Sequence, residues 1–406
     1  MGNVTKILLL GGSAQQLIAI HTAQQMGYFT ILCDYLPDNP GQYVADRYYS
    51  VSTTDVEAVY DIAKKENVNG ILAYASDPAA LPAAIVAEKL GLPTNPSKLV
   101  SILGVKHEFR AFLQKHNFVC PQYYVFPSET DEKVLKEKIN AFKFPIMIKP
   151  TDSSGSKGVT KLESIKDLPR ALEWATEYSR NKILIAEEFI DRGFPDVIGG
   201  DIFVWNGEII LFGEMACLRD SKRKGLIPIG KKKPSGLNQY QTELVHRELQ
   251  RIIDLLDYRF GELNIELLLD KENNVHFLEL GPRAGGNMIP IQLSDVFGVD
   301  LVKANILVSM GINPNLSLQE QKGCFMHYVL HSYQEGIFEG VEYADIVKPF
   351  IYREVIYKKP GDNVECFDGA GKALGIIFLN FDTVQQMDDF CENHDSYIGI
   401  VMRCDK

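Results

Sequence analysis

Three places in this 406-residue chain carry side chains whose types and spacing suit chemistry. The first is IMIKPTDSSGSKGV, residues 146–159, where an apolar run ends in Lys149 and is followed by Ser153, Ser154, Gly155 and Ser156. Glycine and serine let backbone N–H groups turn toward one point while a lysine supplies charge, which is how proteins hold a phosphate. The stretch is not a P-loop, because Lys149 precedes the glycines instead of following them. The second is GELNIELLLDKENNVHFLELGPR, residues 261–283, which reads as a hairpin. With a loop at Lys271–Asn274, Asp270 faces Val275, and counting outward sets Glu266 directly across from Glu279. Directly opposed side chains have Cβ atoms roughly 5 Å apart, and the two-residue period puts Asn264, Leu268 and Phe277 on the same face. Two opposed carboxylates amid apolar residues repel, so a positive group belongs between them, and oxygen-only ligands suit magnesium or manganese rather than zinc. The third is GPRAGG, which places Arg283 just past the strand with glycines that allow close approach of a ligand. Metal-binding carboxylates, an arginine and a lysine/glycine phosphate loop are together the parts that phosphoryl transfer needs.

These residues need elements to position them. Over the first hundred residues KILLLG, FTILCD and GILAY alternate with helices from Ser13, from Asp55 and through DPAALPAAIVAEKLG. Such βαβ alternation predicts a parallel sheet with helices on both faces, a Rossmann-like domain over residues 1–105. Its first turn, GGSAQQL, lacks the G-x-G-x-x-G spacing, and only Asp34 resembles the ribose-binding acid of a dinucleotide fold, so another small molecule is a better ligand than NAD. From Lys106 the pattern changes to helix, strand, helix and then the strand carrying Lys149, with PTNPSKL at the boundary. KILIAEEFI and DIFVWNGEIILFG read as edge-forming strands, Arg219–Lys233 as a basic loop, and a helix runs from roughly Asn238 to Leu256 before the hairpin. A second domain is therefore expected at 106–315. Beyond the turn chemistry of Ile312–Leu318, short strands and glycine turns predict a small separate β-rich domain at 316–406. The fold class is α/β combined with α+β.

A net charge of −11 argues against a nucleic-acid or membrane-surface partner. No apolar run approaches the roughly 18 residues needed to span a bilayer, and the opening MGNVTKILLLGG lacks the h-region and cleavage site of a signal peptide. A soluble cytoplasmic protein is expected. The seven cysteines are odd in number and free of C-x-x-C pairs, which predicts reduced thiols rather than a disulfide framework or a zinc site. His327 and His331 are four apart, but in a strand-like segment with no third ligand.

Taken together, the motifs resemble those of the ATP-grasp ligases, which include biotin carboxylase, D-alanine:D-alanine ligase and the L-amino acid ligases. The resemblance runs from Lys106 to about Gly311 and implies an ATP-grasp fold with a mobile lid subdomain over about 120–187. It implies that Lys106 in GVKHEFR and Lys149 in IMIKP hold ATP phosphates beneath the DSSGSKG loop, with the hinge Glu187, Glu188, Phe189 and Ile190 reading adenine above Leu268. It further implies Glu266 and Glu279 as magnesium ligands, Arg283 at the reacting phosphate and Arg219 facing substrate. Two positions depart from the family pattern. Gly281 stands where an asparagine usually completes a metal site, and Val197 stands where a ribose-binding glutamate is expected, with Asp196 as its substitute.

The activity this implies is ATP-dependent ligation: a carboxylate is phosphorylated to an acyl phosphate and joined to an amine, with release of ADP and phosphate. ATP and Mg2+ (or Mn2+) are the expected cofactors, a small-molecule carboxylate and an amine the expected partners, and a homodimer a possible assembly. Two alternatives stay open at this point: a carboxylase-like phosphorylation of bicarbonate, and a nucleotide-binding regulatory module without turnover.

Overall fold

The computed structural model describes residues 4–220, 227–319 and 323–403. Strands β1 (Lys6–Leu10), β2 (Phe29–Cys33), β3 (Arg47–Tyr49) and β4 (Gly70–Leu72) form a parallel sheet in the order β3-β2-β1-β4. Ile7–Leu10 are all buried, as expected for a parallel strand covered on both faces. The covering helices are α1 (Leu17–Gln25), α2 (Val56–Glu66) and α3 (Asp77–Leu90). Asp55 caps α2 by accepting the N–H of Ala58, and left-handed Asn67 and Gly91 end α2 and α3. Asp34 is engaged locally, since its carboxylate accepts the N–H groups of Gly12 at 2.7 Å and Leu36 at 2.9 Å. It therefore clasps the glycine turn instead of waiting for a ribose.

Helices α4 (Ser97–Gly104) and α5 (Lys106–Lys115) lead into the lid. The lid is an antiparallel sheet ordered β5-β8-β6-β7, made of β5 (Tyr123–Pro127), β6 (Ile146–Pro150), β7 (Thr160–Leu162) and β8 (Ile183–Glu188). Helices α6 (Glu132–Ile139) and α7 (Leu168–Glu177) pack on it around Phe126, Leu135, Ile148, Leu168 and Leu184. The subdomain thus has an apolar core of its own.

The central sheet is assembled from β9 (Val197–Trp205), β10 (Glu208–Arg219), β11 (Pro228–Lys233), β12 (Phe260–Leu269) and β13 (Val275–Gly281), with α8 (Gln239–Leu256) packed on one face. Asn238 starts α8 with a reciprocal capping box to Gln241. Helices α9 (Ile289–Phe297) and α10 (Leu301–Ser309) cover part of the other face. Neither run expected at an edge lies there: β8 sits between β5 and β6, and β9 between β12 and β10. Eight of the nine residues of β9 are buried, the signature of a strand covered on both sides.

The remaining strands are β14 (Cys324–Leu330), β15 (Gly336–Tyr343), β16 (Ile351–Ile356), β17 (Asn363–Val364), β18 (Gly375–Phe381) and β19 (Ile398–Arg403), with helix α11 (Val384–Tyr397). They do not stand apart as a separate module. The central sheet runs β13-β12-β9-β10-β11-β14-β18-β16, and Gly230–Lys233 pair with Phe325–Tyr328. Without β14, β11 would present an unpaired edge. Only β17, β15 and β19 form a small sheet of their own.

Candidate active site

The hairpin β12–β13 brings Glu266 opposite Glu279, as the counting predicts, but by a different path. Asp270 belongs to the turn, where its carboxylate accepts the N–H groups of Glu272 and Asn274 at 3.0 and 2.8 Å, so pairing begins one residue later, at Leu269 with Val275. A bulge between Glu266 and Leu267 leaves Leu278 unpaired and restores the register. The bulge also corrects one expectation: Phe277 pairs with Leu267 and faces the α8 core, away from the carboxylates. Leu268 keeps its predicted face and gathers with Val197, Cys217, Ile190 and Leu278 into an apolar floor beside the hinge.

The chain itself supplies positive groups to the carboxylates. Lys106, the first residue of α5, reaches Glu279 at 3.1 Å and donates to the Ser153 carbonyl of the lid loop at 2.6 Å. Arg219, the last residue of β10, donates to both oxygens of Glu266 at 3.3–3.4 Å. Burial works against ionisation of Glu266, but Arg219, Lys231 and Lys106 together hold its carboxyl below the ordinary value. Glu266 and Glu279 suit a hard divalent cation, which commonly takes one or two carboxylates and completes its shell with phosphates and water. No group of three or more metal-ligating side chains occurs among the described residues.

Lys149 lies at the end of β6 and is held by Glu187 of the hinge at 2.5 Å. Glu187 also accepts from Arg110 Nε at 2.6 Å, while the rest of that guanidinium donates to the carbonyls of Phe277 and Leu278, both at 3.1 Å. Burial opposes the charge on Glu187, yet Arg110 and Lys149 keep its carboxyl at about 2. Lys149 is pushed down by burial, and Glu187 only partly offsets this. Sequence reasoning missed Arg110, though a signal existed: it stands four residues after Lys106 on a helix whose neighbouring Phe109, Phe112 and Leu113 are buried.

The rest of the hinge points elsewhere. Glu188 accepts the N–H of Lys143 at 2.8 Å, and the Phe189 ring lies under the Lys161 ammonium at 4.4 Å, so both side chains serve the lid. Asp196 faces Lys232 at 3.9 Å, and Lys232 in turn bonds Asp388 at 2.7 Å, which turns the proposed ribose acid toward the C-terminal helix α11. Ser154 bonds Asp77, the first residue of α3, and Gly155 and Ser156 both have left-handed backbone at the tip of the loop. Residues 221–226 of the basic run lie outside the described residues. His327 and His331 are buried and engaged with Gln292 and the Val329 carbonyl.

Arg283 is brought to the site, but with a partner the sequence did not reveal. Its Nε and one terminal nitrogen both donate to the Asp77 carboxylate at 2.6 Å, across the junction with the N-terminal domain. Burial opposes ionisation of Asp77, and Arg283 overrides it. The same pair explains Gly281, because a Cβ there would stand 3.1 Å from Asp77 Oδ1 and 3.3 Å from Arg283 Cζ. An asparagine at this position would crowd the ion pair, whose side chains would have to give by a few tenths of an ångström.

A lid with its own core, holding a lysine-bearing loop over paired carboxylates on an antiparallel sheet, is the arrangement of an ATP-grasp ligase. The chain belongs to the family described as carbamoyl-phosphate synthase L chain, ATP binding domain, matched over residues 106–317. It is 29% identical over 283 residues to the formate-dependent phosphoribosylglycinamide formyltransferase of Wolinella succinogenes, covering 69% of this chain and 70% of that one. Its fold is that of an L-amino acid ligase from Bacillus licheniformis (TM-score 0.79, 17% identity, 99% of this chain and 100% of that one). It is equally that of a phosphoribosylglycinamide synthetase from Anaerococcus prevotii (TM-score 0.77, 18% identity, 99% and 100%). The family match thus assigns an ATP-binding domain to just over half of the chain. Among the described residues no helix is long and apolar enough to cross a membrane.

Proposed function

We propose that the chain binds Mg-ATP between the lid and the central sheet, transfers the γ-phosphoryl group to a small carboxylic acid, and passes the acyl group to a small amine. The observation that carries this reading is the row of opposed Glu266 and Glu279 with Lys106 linking Glu279 to the lid loop. In this reading Lys106 and Lys149 hold the phosphates, and Ser153, Ser154, Gly155 and Ser156 close over them. Leu268 and Ile190 floor the adenine, with the backbone of Glu188–Ile190 along its edge. A magnesium ion held by Glu266 and Glu279 would neutralise phosphate charge. Arg219 moves from Glu266 to the acceptor carboxylate, and Arg283, aimed by Asp77, steadies charge on the transferring group. The closed lid keeps water from the acyl phosphate.

The names of the relatives direct the first substrates to try, formate and amino acids. The test is ADP release with formate, bicarbonate and the twenty amino acids, each alone and with glycinamide or a second amino acid. Release that requires both a carboxylate and a divalent cation is expected. Absence of carboxylate-stimulated ADP release across the panel overturns the ligase reading, and release with bicarbonate alone moves it to the carboxylase-like alternative.

A further inference from the structure

Lys231 of β11 has no role in binding the substrates proposed above, although it is only 4% exposed. Its ammonium has one hydrogen-bond acceptor among the described residues, the Cys217 thiol at 3.0 Å. An ammonium carries three donors, and burying it against a single soft acceptor is unfavourable unless an anion completes the set.

Its location says which anion. Cys217 belongs to the apolar floor with Leu268 and Val197. Gly199 is paired with Glu266 in the next strand. A Cβ on Gly199 would come within 2.1 Å of the Lys231 nitrogen and 2.7 Å of the Cys217 sulfur. The missing side chain of Gly199 thus makes the space through which Lys231 reaches from β11 over β10 and β9 toward Glu266, whose ionisation it favours. The ammonium ends between the apolar floor and the metal-binding row. A nucleotide with its base on that floor and its terminal phosphates at Glu266 and Glu279 has its α-phosphate between them.

We propose that Lys231 is a third phosphate-binding lysine, holding the α-phosphate of the nucleotide. The charge compensates for the ribose position, where Val197 has no polar side chain and Asp196 is turned to Lys232. The proposal rests on the ATP-site reading of this cleft and not on turnover.

The test is calorimetric titration of adenosine, AMP, ADP and ATP into the full chain and its Lys231→Met and Lys231→Arg variants, with magnesium and again with EDTA. Loss of one charged hydrogen-bonded contact should weaken AMP, ADP and ATP alike by about ten- to a hundredfold, leave adenosine unchanged, and be partly restored by arginine. The effect should persist in EDTA. Unchanged AMP and ADP affinity in Lys231→Met overturns the proposal, as does a parallel loss for adenosine, which would mark a damaged base slot. An effect that vanishes in EDTA also overturns it, because Lys231 would then act only through Glu266 and the metal. If wild-type protein binds all four nucleosides and nucleotides but never releases ADP, the ligase reading fails while the role of Lys231 stands.

Discussion

Glu187→Gln is the substitution whose consequences the structure fixes most closely. Glu187 is 2% exposed and lies between Arg110, 1% exposed, and Lys149, 13% exposed. Glutamine keeps the shape and one acceptor but leaves two buried cations without their anion. The carboxyl is held at about 2 against an ordinary 4.5, and at about 1.4 kcal/mol per tenfold change in protonation the difference of about 2.5 is worth about 3 kcal/mol. Removing one partner from a buried ion pair costs a similar amount, about 3–5 kcal/mol. Because the folded value is depressed, this contribution is present in full above pH 4.5 and fades as pH falls from 4.5 toward 2. Urea unfolding followed by the fluorescence of Trp174 on lid helix α7, in a Trp205→Phe background, reads the lid directly. The expected result at pH 7 is a loss of about 3 kcal/mol that shrinks below pH 4.5 as the wild type loses its advantage. A loss below about 1 kcal/mol, or a gap independent of pH, would refute the assignment of Glu187 as the charge centre joining α5, the hinge and the lid lysine.

Three further outcomes are expected. ATP should raise the melting temperature only when a divalent cation is present, and Glu279→Gln, at a side chain 30% exposed, should abolish turnover at a stability cost below about 1 kcal/mol; an ATP shift undiminished by EDTA contradicts the metal role. Limited proteolysis should cut within Ser153–Gly158 and Mg-ATP should protect there, so equal cleavage with and without nucleotide removes the lid-loop assignment. Arg283→Ala should lower kcat by roughly 10²–10³-fold while ATP affinity changes little, whereas Asp77→Asn, which loosens the clamp but keeps the guanidinium, should retain most of kcat. If both variants lose activity only in step with their melting temperatures, Arg283 is a structural tie between domains and not a catalytic group.

What the sequence alone determined is what local pattern encodes. Alternation of strand and helix gave the N-terminal sheet, and turn chemistry with a two-residue period set Glu266 against Glu279. The last result held because two errors cancelled, a turn one residue longer than counted and a bulge that restored the register. Phe277, which lies between them, came out on the wrong face. Periodicity cannot see a bulge, since the extra residue is left unpaired between two strands and the residue types along either strand do not mark it. Tertiary structure alone decided which charges meet. Arg110 lies 77 residues from Glu187 and Asp77 lies 206 from Arg283, and Lys231 reaches the cleft only because a glycine two strands away leaves room. The same holds for the C-terminal strands, read as a separate domain but continuing the central sheet through β14. Such contacts depend on where the chain returns in space, and an ion pair leaves no periodic trace in either of the segments it joins.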